Sequence, residues 1–165
     1  MTYVLERPGT SRRPKEGKRF DAILHAAEIV FANEGFNGAS MREIAARAQV
    51  AQALIHYHFD TKEKLFEAMA ARQANAINDA RANLLDVLLT SDRPPELENI
   101  VEALFRPTIE KGKKIAIHGG GFSRILVSIA NSHDPRDQEL TTRYYDPIAL
   151  RFIGAITLIE PRVSR

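Results

Sequence analysis

The sequence predicts an all-α protein, with an N-terminal three-helix helix-turn-helix domain followed by a second helical domain. Apolar residues recur at the three- and four-residue spacing of amphipathic helices along most of the chain. No segment alternates apolar and polar residues as a half-buried strand does, and there is no hairpin signal. With 165 residues, of which 44% are hydrophobic and 27% charged, the chain can bury a substantial core.

Residues 1–18 are predicted to be a flexible basic arm. Residues 1–19 contain six Arg or Lys and only two Glu, whereas the rest of the chain has no basic surplus. Such a segment is either a solvated terminus or a mobile arm that reaches a polyanion. The second interpretation requires a nucleic-acid-binding module next to it.

The first helix is predicted to begin near Phe20 and to end at Gly35. Glycine is a common C-terminal stop of a helix. The apolar residues before it form one stripe over about four turns. The members of this stripe are Phe20, Ile23, Leu24, Ala27, Val30 and Phe31.

Two short helices follow, joined by a brief turn. Ser40 is placed to cap the second helix, with Glu43 reaching back in a capping box. The third helix is predicted over residues 51–59. A capped helix, a short turn and a helix of about two turns have the geometry of a helix-turn-helix.

A long fourth helix is predicted next. Thr61 is placed to cap it, and its apolar residues continue to Leu88. We expect the helix-turn-helix domain to occupy residues 19–66 and the second helical domain to occupy residues 67–165.

Prolines and glycines divide the rest of the chain. The proline pair at 94–95 favours the start of a helix, and Pro107 should kink or end that helix near Phe105. The segment "HGGG" at 118–121 is a second break. Helix is predicted to resume after it, to stop around "NSHDP" and to run again over about 136–161.

Four side chains of the third helix point the same way. Gln52, Ala53, His56 and Tyr57 lie at offsets 0, 1, 4 and 5, and residues 48–59 contain no acidic residue. A glutamine amide matches the hydrogen-bonding edge of adenine, and a tyrosine hydroxyl can hold a phosphate. This composition predicts a surface that meets an electron-rich partner.

Residues 20–69 resemble the TetR/AcrR family of bacterial one-component transcription regulators. The resemblance is carried by "FANEGF" at the end of the first helix, then "SMREIAARAQV" and "ALIHYHFDTKEKLF". Two positions depart from the family pattern, because Gln49 replaces the usual turn glycine and Ala51 replaces the usual hydroxyl cap. We expect the lost cap to destabilise the module by about 1 kcal/mol.

The resemblance implies a set of DNA contacts. Ser40 and Arg42 would touch the DNA backbone beside the second helix, and Lys62 would bind a phosphate. The alternative interpretation is that Tyr57 and His58 are packing residues and that Lys62 is an ordinary solvated lysine. The base-contacting surface would consist of Gln52, Ala53, Leu54, His56, Tyr57 and His58.

By the same resemblance, we expect a DNA-binding transcriptional regulator, namely a repressor released from a palindromic double-stranded operator by a small, largely apolar effector. The intact protein is expected to be a homodimer. The chain is expected to be C-terminally truncated, because it stops where the family's dimerisation helices should begin. The candidate effector-binding residues among the C-terminal helices are Phe105, His118, Phe122, Arg124 and Tyr144.

Two other classes of function are compatible with the sequence. The face formed by residues 52–57 suits a helical protein–protein adaptor, and His118 and Asp134 are candidate acid–base groups of an enzyme. We expect no enzymatic activity, because no nucleophile and base stand at motif spacing. The segment "HGGG" also lacks an accompanying G-x-S-x-G elbow.

The sequence predicts no metal, cofactor or membrane partner. It contains no cysteine, and His56 and His58 are two residues apart on a helix and face different ways. No phosphate-loop motif, signal peptide or apolar run of about 18 residues occurs. A cytoplasmic location is therefore expected.

Overall fold

The computed structural model describes residues 14–116, 125, 129 and 131–159. Within this part every regular element is an α-helix and no strand is present, so the all-α prediction is confirmed. The helices delimited there are α1 Pro14–Gly38, α2 Met41–Ala48, α3 Gln52–Phe59, α4 Lys62–Leu89, α5 Leu97–Ala116, α6 Pro135–Tyr144 and α7 Asp146–Ile159.

Helix α1 begins at Pro14, inside the segment that was predicted to be the flexible arm. Its predicted apolar stripe is confirmed, because residues such as Ile23 and Val30 are buried. Gly35 interrupts the helix, as predicted, with φ 69° and ψ 175°. Essentially only glycine adopts this combination. The chain then adds a short helical segment that ends at Gly38.

Local hydrogen bonds delimit the helix-turn-helix as predicted. Ser40 Oγ accepts the backbone N–H of Glu43 at 3.1 Å. Gln49 adopts the left-handed conformation, with φ 55° and ψ 44°, in place of the usual glycine. Ala51 is the N-cap of α3 and makes no side-chain hydrogen bond there. Thr61 caps α4 by accepting a backbone N–H at 3.2 Å.

Pro107 was predicted to kink or end the fifth helix near Phe105, and the predicted end is wrong, because α5 continues to Ala116. A proline cannot donate the N–H that would satisfy the carbonyl one turn earlier. Here Arg81 on α4 braces the surrounding turn. Its Nε donates to the carbonyl of Leu104 at 2.8 Å, and its Nη2 donates to Oγ1 of Thr108 at 2.9 Å. Tertiary hydrogen bonds thus connect α4 to the turn of α5 that contains Pro107.

The single helix predicted over about 136–161 is two helices, because α6 ends at Tyr144 and α7 starts at Asp146. Pro147 lies in the first turn of α7. A proline there lacks only an N–H that has no partner within the helix, so it favours a new helix start. The predicted break at 118–121 lies outside the described residues.

Two hydrophobic clusters form the core, and α4 belongs to both. The first cluster packs α1, α2, α3 and the first half of α4 together around residues such as Ile44 and Ile55. The second cluster packs the end of α4 against α5 and α7 around Leu85 and Phe152. The first cluster includes Ile77 of α4. The predicted domain boundary therefore passes through a continuous helix and a continuous core.

Candidate nucleic-acid interface

The outer face of α3 projects away from the core. Ile55, on the opposite side of the helix, is fully buried. Tyr57 has 76% of its surface exposed. The exposed residues of the outer face are Gln52, Ala53, His56 and Tyr57. The shared face that their spacing predicts is therefore present in the structure.

A chain of hydrogen bonds runs along this face. Gln52 Nε2 lies 3.3 Å from His56 Nε2, and His56 Nδ1 lies 3.1 Å from the backbone carbonyl oxygen of Asp60. The Asp60 carboxylate accepts from Lys64 Nζ at 2.8 Å, and this contact lowers the pKa of the Asp60 carboxyl. Sequence reasoning missed the part played by Asp60 and Lys64. The signal available for it was the regular spacing of four residues.

Leu54 and His58, which were also predicted to contact bases, lie on the side of α3 that packs against the domain. Leu54 is half-buried against the first core cluster. The half-buried ring of His58 meets the ring of Phe20 edge-on, with centroids 5.6 Å apart. Its Nε2 is buried and has no hydrogen-bond partner among the described residues. Both side chains therefore occupy packing positions beside the outer face.

The three predicted DNA-backbone contacts lie near the N-termini of α2 and α4. Ser40 and Arg42 are exposed. Lys62 is half-buried, and its Nζ donates to the Ala39 carbonyl at 3.0 Å and lies 4.6 Å from the centroid of the Phe36 ring. Lys62 therefore ties the start of α4 to the segment after α1. Its ammonium group has further N–H donors for a phosphate.

Two cations of α6 contact the helix-turn-helix domain and the adjoining part of α4. The guanidinium carbon of Arg136 lies 3.7 Å from the ring centroid of Phe36 and 4.9 Å from that of Phe66. Arg143 forms an ion pair with Glu67 on α4. The Phe36 ring thus contacts a cation of α6 as well as the cation at the start of α4.

A buried carboxylate connects α1 to α4 and α5. Glu28 on α1 is 5% exposed and accepts from Gln73 Nε2 at 2.5 Å. Its Oε1 is buried without a hydrogen-bond partner among the described residues. Burial raises the pKa of Glu28, and the nearby charges of His25, Lys111 and Arg72 oppose that rise. Three helices therefore meet at one charged group.

A groove of about 670 Å³ opens between α4 and α5. Two cations, Arg106 and Lys111, and one carboxylate, Glu110, lie at its wall. No sequence motif marks such a groove, because two separate helices form its sides. Its apolar lining residues are Ala76, Ile77, Ala80, Leu84 and Pro107.

Neither Phe105 nor Tyr144, the two predicted effector-binding residues in the described part of the chain, lines this groove. Phe105 on α5 is 54% exposed, on a different side of that helix. Tyr144, at the end of α6, is half-buried against the first core cluster, and its carbonyl accepts from Asn78 Nδ2 at 2.5 Å. The other three candidates lie outside the described residues: His118, Phe122 and Arg124.

Other types of site have little support in the described part of the chain. Asp134, the candidate acid–base group, caps α6 by accepting the backbone N–H of Arg136 at 2.9 Å. Over the described ranges, no three side chains of the metal-ligating types are grouped so as to hold an ion. None of the helices delimited there is long and apolar enough to cross a membrane.

Comparison with known proteins gives consistent matches. Residues 23–69 match the sequence model of the bacterial regulatory proteins of the tetR family. The HTH-type transcriptional activator FasR of Mycolicibacterium smegmatis is 33% identical over 96 residues, which are 58% of this chain and 42% of that protein. The HTH-type transcriptional repressor Rv3405c of Mycobacterium tuberculosis is 36% identical over 97 residues, which are 57% of this chain and 47% of that protein. This chain thus spans less than half the length of both relatives.

A solved structure, assigned as a transcriptional regulator from Pseudomonas aeruginosa PAO1, shares the fold. It matches with a TM-score of 0.65 over 92% of this chain and 69% of that chain, at 17% identity. The capped α2, the tight turn at Gln49 and the outward face of α3 define a helix-turn-helix module. This module lies within residues 23–69, the part of the chain that matches the tetR family of bacterial regulatory proteins.

Proposed function

We propose that this protein is a sequence-specific DNA-binding transcriptional regulator that acts as a repressor and is released from its operator by a small effector. The observation that carries the proposal is the exposed outer face of α3 within the helix-turn-helix. A second helix of this type enters the major groove and presents its N-terminal residues to base edges. Of the relatives that match this chain, FasR is named as an HTH-type transcriptional activator and Rv3405c as an HTH-type transcriptional repressor.

In the proposed interface some residues contact bases and others contact phosphates. Gln52, at the first position of α3, contacts a base edge, and the exposed Tyr57 contacts the phosphate backbone beside it. Ser40, Arg42 and Lys62 hold phosphates on either side. The Asp60 carboxylate, just after α3, is paired with Lys64 at 2.8 Å, which reduces its repulsion of DNA.

The groove between α4 and α5 is the proposed effector site. Its volume of about 670 Å³ falls within the range of small-molecule pockets. Most of its lining is apolar, which suits a small, largely apolar molecule. Arg106 already forms ion pairs with Glu102 and Glu110, at 3.5 and 3.1 Å. Arg106 and Lys111 are the two cations at the wall of the groove that would orient the polar end of the effector.

Effector binding in this groove would be coupled to DNA binding because the same helices contribute to both sites. Helix α4 forms one wall of the groove and carries Lys62 at its start. Lys111 lines the groove and also attracts Glu28 on α1. An effector that separates α4 from α5 or draws Lys111 away from Glu28 therefore changes how α1 sits against α4. Release from DNA requires a differential affinity of about 1–3 kcal/mol between the two arrangements.

The proposed operator is a palindromic DNA duplex, and the proposed working form is a homodimer in the cytoplasm. Two helix-turn-helix units bind one duplex when their α3 helices lie about 34–36 Å apart, so that they enter successive major grooves. Two-fold symmetry of the protein then imposes two-fold symmetry on the sequence it binds.

Selection of bound sequences from a random duplex library tests the proposal. We expect a palindromic consensus, with an affinity that falls steeply as salt is raised. The matched control is the same selection with Gln52→Ala, which should retain the salt dependence and lose enrichment at one position of each half-site. A protein that enriches no sequence and shows no salt-dependent retention on heparin would instead support the adaptor. A reporter gene placed behind the consensus distinguishes repression from activation.

A further inference from the structure

Both ring nitrogens of His56 have partners, and one of the partners determines where the ring proton lies. The carbonyl oxygen of Asp60, 3.1 Å from His56 Nδ1, can only accept a hydrogen bond. His56 Nδ1 therefore carries the proton. In the neutral ring Nε2 is then an acceptor, and it accepts an N–H of Gln52 Nε2 at 3.3 Å.

Local interactions position the Asp60 carbonyl that determines this tautomer. Asp60 follows α3 with φ 63° and ψ −59°, and its backbone N–H donates to the carbonyl of His56 at 2.9 Å. His56 and Asp60 thus exchange two hydrogen bonds. The Asp60 carboxylate, whose charge interacts with His56, pairs with the Lys64 ammonium at 2.8 Å.

The bond from His56 selects which edge of the Gln52 amide faces outward. One N–H of the amide is bound to His56, so its Oε1 and its second N–H remain at the exposed end. This pair of one acceptor and one donor matches the N6 donor and the N7 acceptor of adenine. If Nε2 is protonated it becomes a donor, and the amide must turn so that Oε1 accepts from it. The exposed end then presents only N–H donors, which match N7 and O6 of guanine.

We propose that His56 is a positioning residue, which in its neutral form orients Gln52 toward adenine and in its protonated form orients it toward guanine. This inference rests on the proposed DNA-binding function. It assigns His56 a different role from the direct base contact expected from the sequence. It also makes the base preference at one position of each half-site depend on the protonation state of His56.

The test measures the affinity of the full chain for the selected operator and for duplexes carrying each of the four bases at the position affected by Gln52→Ala. Titrations are carried out at about pH 7.5 and about pH 5.5, which lie on either side of the usual pKa of histidine. Wild-type protein, His56→Ala, Gln52→Ala and the double variant are compared. His133→Ala is the matched control, because His133 is an exposed histidine in the segment before α6.

We expect the wild type to prefer adenine over guanine at that position by about tenfold or more at the higher pH. At the lower pH this ratio should fall by about fivefold or more, and His133→Ala should behave in the same way. His56→Ala should lose the adenine preference at the same base pair and show no pH dependence there. The double variant should lose no more base preference than Gln52→Ala alone, because both substitutions remove the same hydrogen-bonded arrangement of Gln52 and His56.

Three results would overturn the inference alone: His56→Ala changing a different base pair, His56→Ala keeping the adenine preference, or a wild-type preference that is the same at both pH values. Wild-type protein that is folded yet binds every duplex alike would overturn the proposed function and the inference together. His56 is exposed, so its truncation should leave the melting temperature of the protein close to that of the wild type, and circular dichroism checks this.

Discussion

Glu28 on α1 and Gln73 on α4 share a hydrogen bond of 2.5 Å between two helices of the first core cluster. The bond satisfies one oxygen of a carboxylate that is only 5% exposed. The other oxygen has no hydrogen-bond partner among the described residues, and burial raises the pKa of the group above its ordinary value of 4.5. This carboxylate links the helix-turn-helix domain to the C-terminal helices.

The first prediction is that Glu28→Gln raises the stability of the protein at neutral pH by about 1 kcal/mol, because it removes a buried charge and keeps a hydrogen-bond partner for Gln73. A carboxyl whose pKa is raised by folding favours the folded state below its unfolded pKa and loses that contribution as pH rises through its folded pKa. The difference between variant and wild type should therefore vanish below about pH 4.5.

Thermal unfolding followed across pH checks this prediction. Glu34→Gln is the matched control, because Glu34 is an exposed carboxylate on the same helix and its removal should change stability little at any pH. If Glu28→Gln destabilises the protein at neutral pH, the attraction of Lys111 and Arg72 outweighs the cost of burial.

The second prediction concerns Gly35, where the chain requires a conformation that other residues rarely adopt. A Cβ at this position would meet no atom within 4 Å, so the cost of Gly35→Ala is conformational. We expect a loss of about 1–3 kcal/mol in the free energy of unfolding. Gly17→Ala is the control, since it lies in regular helix with open space around it and should gain about 0.5–1 kcal/mol. Equal effects of the two substitutions in chemical denaturation would contradict the assigned conformation of Gly35.

The third prediction concerns helix capping in the helix-turn-helix. Ala51 occupies the N-cap of α3 and makes no side-chain hydrogen bond there, so Ala51→Ser should stabilise the protein by about 1 kcal/mol. Ser40 caps α2 at 3.1 Å, so Ser40→Ala should destabilise it by a similar amount. Urea unfolding of both variants measures the two effects. A neutral result for Ala51→Ser would mean that the N-terminus of α3 already has other partners for its N–H groups.

The fourth prediction concerns the groove between α4 and α5. Ala76 lines this groove and is exposed, so Ala76→Phe should fill part of it without disturbing the core. Operator affinity without effector should be unchanged, while a compound that releases wild-type protein from DNA should lose about tenfold or more in potency. Asn75→Phe adds the same side chain at an exposed position outside the groove and should respond like the wild type. If both variants respond normally, the effector binds elsewhere.

The parts of the fold that depend on neighbouring residues could be predicted from the sequence. The caps at Ser40 and Thr61 and the outer face of α3 follow from spacing within a few residues, whereas the turn at Gln49 was marked only by the resemblance to the family. The continuation of α5 through Pro107 could not, because the stabilising donor, Arg81, comes from another helix.

The candidate sites also contain some residues that could be predicted from the sequence and others that could not. The exposed residues of α3 follow from helical periodicity, whereas the packing position of His58 depends on Phe20 of α1. The groove residues of α4 and α5 were missed because no local pattern distinguishes them from ordinary core. Lys62 was predicted as a phosphate contact, and its bond to the carbonyl of Ala39 was not foreseeable from spacing.

The measurement that tests the central claim most directly is an equilibrium titration of wild-type protein, Gln52→Ala and Lys62→Ala with the selected operator and its single-base variants over a range of salt. We predict that Gln52→Ala changes base preference at one operator position by about 1–3 kcal/mol and leaves the salt dependence unchanged. Lys62→Ala should weaken all sequences alike and reduce the salt slope by about one unit. If both variants bind operator and random DNA like the wild type, the face of α3 and the start of α4 are not the DNA-binding surface.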